Sequence, residues 1–287
     1  MPVLSGPEHL AAAFPADWLR PDLGAAARAH VGACMTARSI GSTWSHSVQP
    51  YAGFNLGTHV GDEPGAVAAN RSQLEAAVGQ PALWLNQVHG NTVVHATPEL
   101  ARSGALVDAD GSYATQAGVI CTVMVADCLP VLLAAPDGRG VAALHAGWRG
   151  LAGAGDMGGR GILESGVHTL CEAASCDPAD LSAWLGPCIG PTAFEVGADV
   201  LEGFGPGAAA CFTPQARTGA DGQPRWLADL PALARARLAH LGLGLGLGLG
   251  LAQIHGGQWC TVGDASRFFS FRRDRVTGRQ AACIWLR

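Results

Sequence analysis

The sequence predicts a single-domain α/β (α+β) protein, and three observations predict it. Hydrophobic residues make up 48% of the 287 positions and charged residues 14%, so one sizeable core is available and global disorder is excluded. Residues 119–125, 131–135 and 140–145 are short, nearly continuous apolar runs, the pattern of strands buried on both faces of a sheet. Other segments carry apolar residues at helical spacing, and no linker divides the chain cleanly.

Taken in order, residues 1–30 are an alanine- and proline-rich lead, expected to hold short turns and a helix ahead of a main domain at 31–287. Residues 31–38 read as a strand and 41–50 as a polar loop. A helix is expected over 63–78: Pro64 fits its first turn, Val67, Leu74 and Val78 fall near one face, and Gly79 stops it. Short strands at 82–87 and 91–96 flank His89, with another at 106–110. The three buried strands follow, the last two joined by the turn signal Asp137-Gly138. Leu163, Val167 and Leu170 mark a helix at 160–173. A strand is expected at 181–185 and a short helix after Phe194-Glu195-Val196. Residues 203–225 lack pattern and read as a surface loop, and 229–241 as an amphipathic helix. Residues 241–251 alternate leucine and glycine; so glycine-rich a strand would be weak, and the tract reads as a low-complexity expansion of a helix-to-strand connection. Residues 280–286 form the last strand.

Composition also excludes partners. A net charge of −5 argues against a general nucleic-acid or membrane-surface binder. No apolar run reaches the roughly 18 residues of a membrane span. The N-terminal residues lack a basic region and are a poor signal peptide. Nine irregularly spaced cysteines, without a CxxC pair, do not make a disulfide framework, so a reducing cytoplasm is the simplest home.

Three residues stand at or just after the ends of apolar strands: His89, Cys128 and His145. Strand ends are held by a rigid sheet yet reach a cleft, where open α/β sheets place sites. Two imidazoles and a thiolate suit zinc with one position left for water, whose pKa zinc lowers to about 7. Each residue also has a plain structural reading: His89 as a turn histidine, Cys128 as a buried hydrophobe, His145 as a satisfied core group. Asp127 fits either a carboxylate supporting a ligand imidazole or a turn or helix cap. Arg38, Arg149, Arg272 and Arg273, near strand ends and glycine turns, are candidate phosphate or substrate contacts, with surface salt bridges as the alternative. His59 and Asp62 read as loop residues, and Trp148 as a packing residue or a platform for a flat base.

These stretches together resemble the YfiH-type family, also called the multicopper polyphenol oxidase or laccase-domain family of purine nucleoside phosphorylases. The resemblance rests on NLGTHVGD from Asn55, Asn70-Arg71, NQVHG from Asn86, DAD from Asp108, ADCLPV from Ala126 and LHAGWRG from Leu144. GPCIGP from Gly186, FEV from Phe194, FFSFRRD from Phe268 and TGR from Thr277 complete it. It implies an α-β-β-α layered fold of the YfiH or cysteine-hydrolase type, and a zinc site of two histidines and one cysteine on His89, Cys128 and His145. It further implies phosphorolysis of adenosine, inosine and S-methyl-5′-thioadenosine, with adenosine deamination. Purine nucleosides and phosphate are therefore the expected small-molecule partners. Copper-dependent polyphenol oxidation and editing of peptidoglycan precursors are attributed to some members. Copper fits this chain poorly, because ten histidines and four methionines include no histidine-rich motif such as HxH. The chain departs from the family pattern after Arg38, in the Leu-Gly tract and in a longer loop at 205–223. The alternatives to a zinc phosphorylase are a metal-free cysteine hydrolase using Cys128, a copper oxidase, and a non-catalytic protein stapled by zinc.

Overall fold

A computed structural model describes residues 14–242 and 253–287. Two sheets form its centre. In the first, the order is Val31–Met35, Gln280–Leu286, Ile120–Val125 and Ala82–Leu83, antiparallel except for the last pair. In the second, it is Ile254–Gly256, Ser182–Leu185, Leu129–Ala134, Val141–Ala146, Gly111–Ala114 and Val93–His95. Here antiparallel central strands carry a parallel pair at each edge.

The alternation of a strand's side chains sorts the core into layers. Along Ile120–Val125, Cys121, Val123 and Val125 join Leu132, Ala134, Val141 and Ala143 of the other sheet. Ile120 and Met124 face the opposite way, toward Phe54, Leu56 and Leu74. On the far side of the second sheet, Leu129, Val131, Leu133 and Leu144 pack against Ile162–Ala174 and Leu230–His240. The result is α-β-β-α layering, and it explains why the central strands are apolar on both faces although they pair antiparallel.

Helix Pro64–Val78 sits as its sequence predicts, with Glu63 accepting from the Ala66 N–H and Gly79 closing it at φ 78°. Other boundaries differ. The first strand stops at Met35, because beyond it the Arg38 N–H donates to the Arg267 carbonyl rather than to the sheet. The strand expected at 82–87 splits at Trp84, whose ring lies under the Arg71 guanidinium at 4.1 Å and whose Nε1 donates to Glu75. Leu85–Asn86 then pairs with Val107–Asp108 in a separate ladder. The patternless stretch 203–225 holds a 3-10 turn at Pro206–Cys211 and the strand Phe212–Pro214, part of a small three-stranded sheet. Strands of two or three residues are too short to show a period. The lead is no appendage over its described part: Phe14, Trp18, Leu23 and Ala27 are buried, and Leu19 bridges to Met35. The Leu-Gly tract lies, from residue 243 onward, outside the described residues. All nine cysteines are free. Among the described residues no helix is long and apolar enough to cross a membrane.

Candidate metal centre and cleft

Sheet register brings the centre together. Leu129 pairs with Ala146 and Pro130 with His145, so Cys128, one residue before its strand, falls beside the end of the next. Gly111 pairs with Leu144 on the other side, which sets Asp110 against His145. The His145 N–H donates to the Asp110 carbonyl at 2.7 Å, and its Nδ1 lies 2.8 Å from Asp110 Oδ1. The same carboxylate accepts from the N–H groups of Val88 at 3.2 Å, His89 at 2.9 Å and Gly90 at 2.6 Å. Asp110 is fully buried and so is the hub of the site. It fixes the His145 ring and the turn in which His89 holds a left-handed φ of 62°.

The ligand atoms of His89, Cys128 and His145 all lie within 4.8 Å of one another, with Cys128 Sγ 3.8 Å from His89 Nε2. Burial raises the pKa of the Cys128 thiol, but the two imidazoles outweigh it and bring the thiol down to about 6. Burial works against charge on His145 too, yet the thiolate and Asp110 raise it to about 9. Asp110 lies below the usual carboxylate range despite its burial, held there by His145 and the backbone donors. Bond lengths of about 2.0–2.3 Å to zinc put neighbouring ligand atoms of a tetrahedral site roughly 3.5 Å apart, a little less than the 3.8 Å from Cys128 Sγ to His89 Nε2. A thiolate and two imidazoles, one oriented by a buried carboxylate, fit a metal ion.

Gly147 leaves space for this cluster. A Cβ there would stand 2.9 Å from His89 Cδ2 and 3.2 Å from Cys128 Sγ. Its φ of −63° suits any residue, so Gly147→Ala tests space alone. We expect metal affinity to fall about tenfold or more by competition with a chelator, in the range seen when ligand orientation is disturbed.

The centre lines a cleft of about 680 Å³, a size suited to a small organic substrate. Trp148, Phe194 and Phe271 line it as aromatic surfaces, with Arg149, Arg272, Arg275 and Arg279 as cations. None of these four arginines makes an ion pair among the described residues. Arg149 and Arg272 line the cleft, and Arg272 Nη1 also donates to the Ala193 and Glu195 carbonyls at 3.3 and 3.0 Å. Arg38 and Arg273 do not line it. Arg38 donates to the Ala265 and Ala52 carbonyls and lies over Phe269; Arg273 donates to the carbonyls of Thr261, Val262 and Phe268 and grips Asp274. Both guanidiniums hold loop carbonyls outside the cleft lining. Asp127 borders the cleft, but its carboxylate accepts from Thr261 Oγ1 and from the Arg272 N–H, each at 2.6 Å. That is the turn and cap role; the carboxylate supporting an imidazole is Asp110.

Asp110, Arg275 and Arg279 are not among the candidates read from the sequence. Asp110 ends the DAD motif and Arg279 the TGR motif, so both carried a signal. Arg279 is held by the Thr277 and Gly278 carbonyls, and burial lowers its pKa from the ordinary arginine value. His59 also lines the cleft; burial and then Arg279 and Arg71 lower its pKa.

A family model described as multi-copper polyphenol oxidoreductase laccase matches residues 32–287. A purine nucleoside phosphorylase of Pseudomonas aeruginosa is 43% identical over 272 residues, covering 94% of this chain and 98% of that protein. Purine nucleoside phosphorylase YfiH of Escherichia coli is 43% identical over 261 residues, covering 89% and 94%. Among solved structures, Neisseria meningitidis protein NMB0706 superposes with a TM-score of 0.78 at 41% identity over 94% of this chain and 99% of that one. YlmD from Geobacillus stearothermophilus gives 0.76 at 30% identity over 94% and 96%.

Proposed function

The chain belongs to the multi-copper polyphenol oxidoreductase laccase family, and from that footing we propose that it is a zinc-dependent purine nucleoside phosphorylase. Its substrates are adenosine, inosine and S-methyl-5′-thioadenosine, and adenosine deamination is a side activity. The observation that carries this reading is the convergence of His89, Cys128 and His145 in a cleft whose four arginines make no ion pair among the described residues. The phosphorylase name of the relatives supports the choice of reaction.

In phosphorolysis a phosphate oxygen bonds to the anomeric carbon of ribose as the bond from that carbon to the purine nitrogen breaks. The purine leaves with a proton, and ribose 1-phosphate remains. Arg149, Arg272 and Arg279 neutralise and orient the phosphate through forked donors. Trp148 and Phe194 offer faces to the purine. His89, Cys128 and His145 hold the metal, and Asp110 keeps His145 in place so that its other ring nitrogen faces the thiol. A zinc ion bound there supplies Lewis acidity toward a substrate atom or water. In deamination water adds at carbon 6 of adenine and ammonia leaves, giving inosine.

One arrangement favours a second reading. Cys128, His145 and Asp110 stand in the order of a nucleophile, base and orienting acid, as in a metal-free cysteine hydrolase. His89 on the thiol as well supports the metal reading instead, since a nucleophile needs one base. Copper is less well supported: Met124 borders the cleft, but its sulfur accepts from Arg71 at 3.6 Å. The test is adenosine with the zinc-loaded protein, with and without phosphate, separating adenine from inosine. Adenine that forms only with phosphate, beside a smaller yield of inosine, is the expected result; inosine alone contradicts the phosphorylase.

A further inference from the structure

Six described residues other than glycine have positive φ, and three of them, His89, Asp127 and Arg275, line the cleft. The first two have work that explains their conformation: His89 is presented to the thiol, and Asp127 caps the turn at Arg272. Arg275 has none of that kind. It closes the short helix Phe271–Asp274 at φ 61° and ψ −60°. Its N–H donates to the Phe271 carbonyl at 2.9 Å, and the Val276 N–H donates to the Asp274 carbonyl at 2.7 Å. This is a γ-turn of the rare, strained form, in which a Cβ is penalised and glycine is not. The chain reversal therefore calls for glycine, not arginine.

Local pairing does not call for arginine either. Both oxygens of the adjacent Asp274 are taken by Arg273, at 2.8 and 2.7 Å. Asp127, the carboxylate bordering the cleft, is held by Thr261 and the Arg272 backbone. Arg275 is exposed at the rim of the cleft, lies 5.9 Å from the Phe271 ring and makes no ion pair among the described residues. A strained residue that the fold does not need points to a functional use of its side chain.

We propose that Arg275 is a specificity-determining residue that binds a phosphoryl group at the rim of the cleft. The phosphoryl group has two sources: inorganic phosphate, or a phosphate carried on the 5′ carbon of the nucleoside. The choice of ligand rests on the phosphorylase reading, but the test does not need turnover. Wild type, Arg275→Gly and Arg275→Lys, each zinc-loaded, are titrated calorimetrically with inorganic phosphate, adenosine and adenosine 5′-monophosphate, and their Tm values are compared. The glycine variant is expected to have a Tm no lower than wild type, because its backbone is relieved. It should lose about tenfold in Kd for inorganic phosphate, or about tenfold of the preference for the monophosphate over adenosine, as befits one lost charge-assisted hydrogen bond. The first loss assigns Arg275 to the attacking phosphate, the second to a phosphorylated substrate. Lysine, which keeps charge without the fork, should fall between. Unchanged affinities in both arms overturn the proposal. So does a glycine variant that loses Tm together with affinity, since Arg275 would then be holding the fold. Failure of the phosphorylase reading is seen separately, as absence of adenine release by the wild type.

Discussion

Replacing Cys128 by alanine is expected to remove bound zinc and, with it, the phosphate-dependent release of adenine from adenosine. Cys128 is the anionic member of a three-residue set, and its thiol is brought to about 6 by the two imidazoles that share the site. Loss of a direct ligand should cost more than the roughly 10–100-fold in affinity that follows disturbance of a group supporting one. Cys128→Asp separates the readings, because a carboxylate is a zinc ligand but no substitute for a thiolate nucleophile. Zinc measurable by elemental analysis in the aspartate variant, with some turnover, supports the metal centre; full loss of turnover with zinc retained supports the cysteine hydrolase. The metal-free wild type gives an independent check. Its Cys128 is thiolate above about pH 6, so alkylation should be nearly as fast at neutral pH as at pH 8 and should slow as pH falls through that value. Zinc should protect the thiol.

Asp110→Ala should be the most damaging single change to stability. The carboxylate has no exposure and accepts from three backbone N–H groups and one imidazole. Its removal leaves those donors buried without a partner, at a cost of about 3–5 kcal/mol by analogy with breaking a buried ion pair. Equilibrium urea unfolding of the metal-free proteins measures it, as a lower midpoint at unchanged slope. The pH dependence has a definite sign. The folded-state pKa of Asp110 is depressed, so its contribution is complete above the unfolded value of about 3.9 and is lost as pH falls through the folded value. The difference between wild type and variant should therefore shrink in acid. An unaltered midpoint at neutral pH would mean that the turn at His89 is held by something else.

The parts of the fold that were legible in the sequence are those long enough to show a period. Residues 120–125, 129–134 and 141–146 carry six consecutive buried positions each, and helix Pro64–Val78 has its start and stop marked by Pro64 and Gly79. Gly111–Ala114, a four-residue strand with three small residues, had no such signature, nor had the two-residue ladder at Leu85–Asn86. The metal candidates could be picked out because Cys128 and His145 border the long apolar strands and His89 follows a short apolar run. The DAD motif marked Asp110 but not its role, which exists only where the 88–90 turn, the start of strand Gly111–Ala114 and His145 meet. Arginines posed a harder problem. Arg272, Arg273 and Arg275 are near neighbours in sequence, and only the turn of the short helix and the reversal after it decide that Arg272 and Arg275 border the cleft while Arg273 does not.

The cluster of His89, Cys128 and His145 is proposed as a zinc centre for phosphorolysis. Its most direct test strips the protein with a chelator, returns zinc or copper separately, and measures adenine released from adenosine in the presence of phosphate. Little release is expected from the stripped protein, with recovery on one equivalent of zinc and none with copper. Full release by the stripped protein, or recovery with copper alone, would contradict the zinc centre.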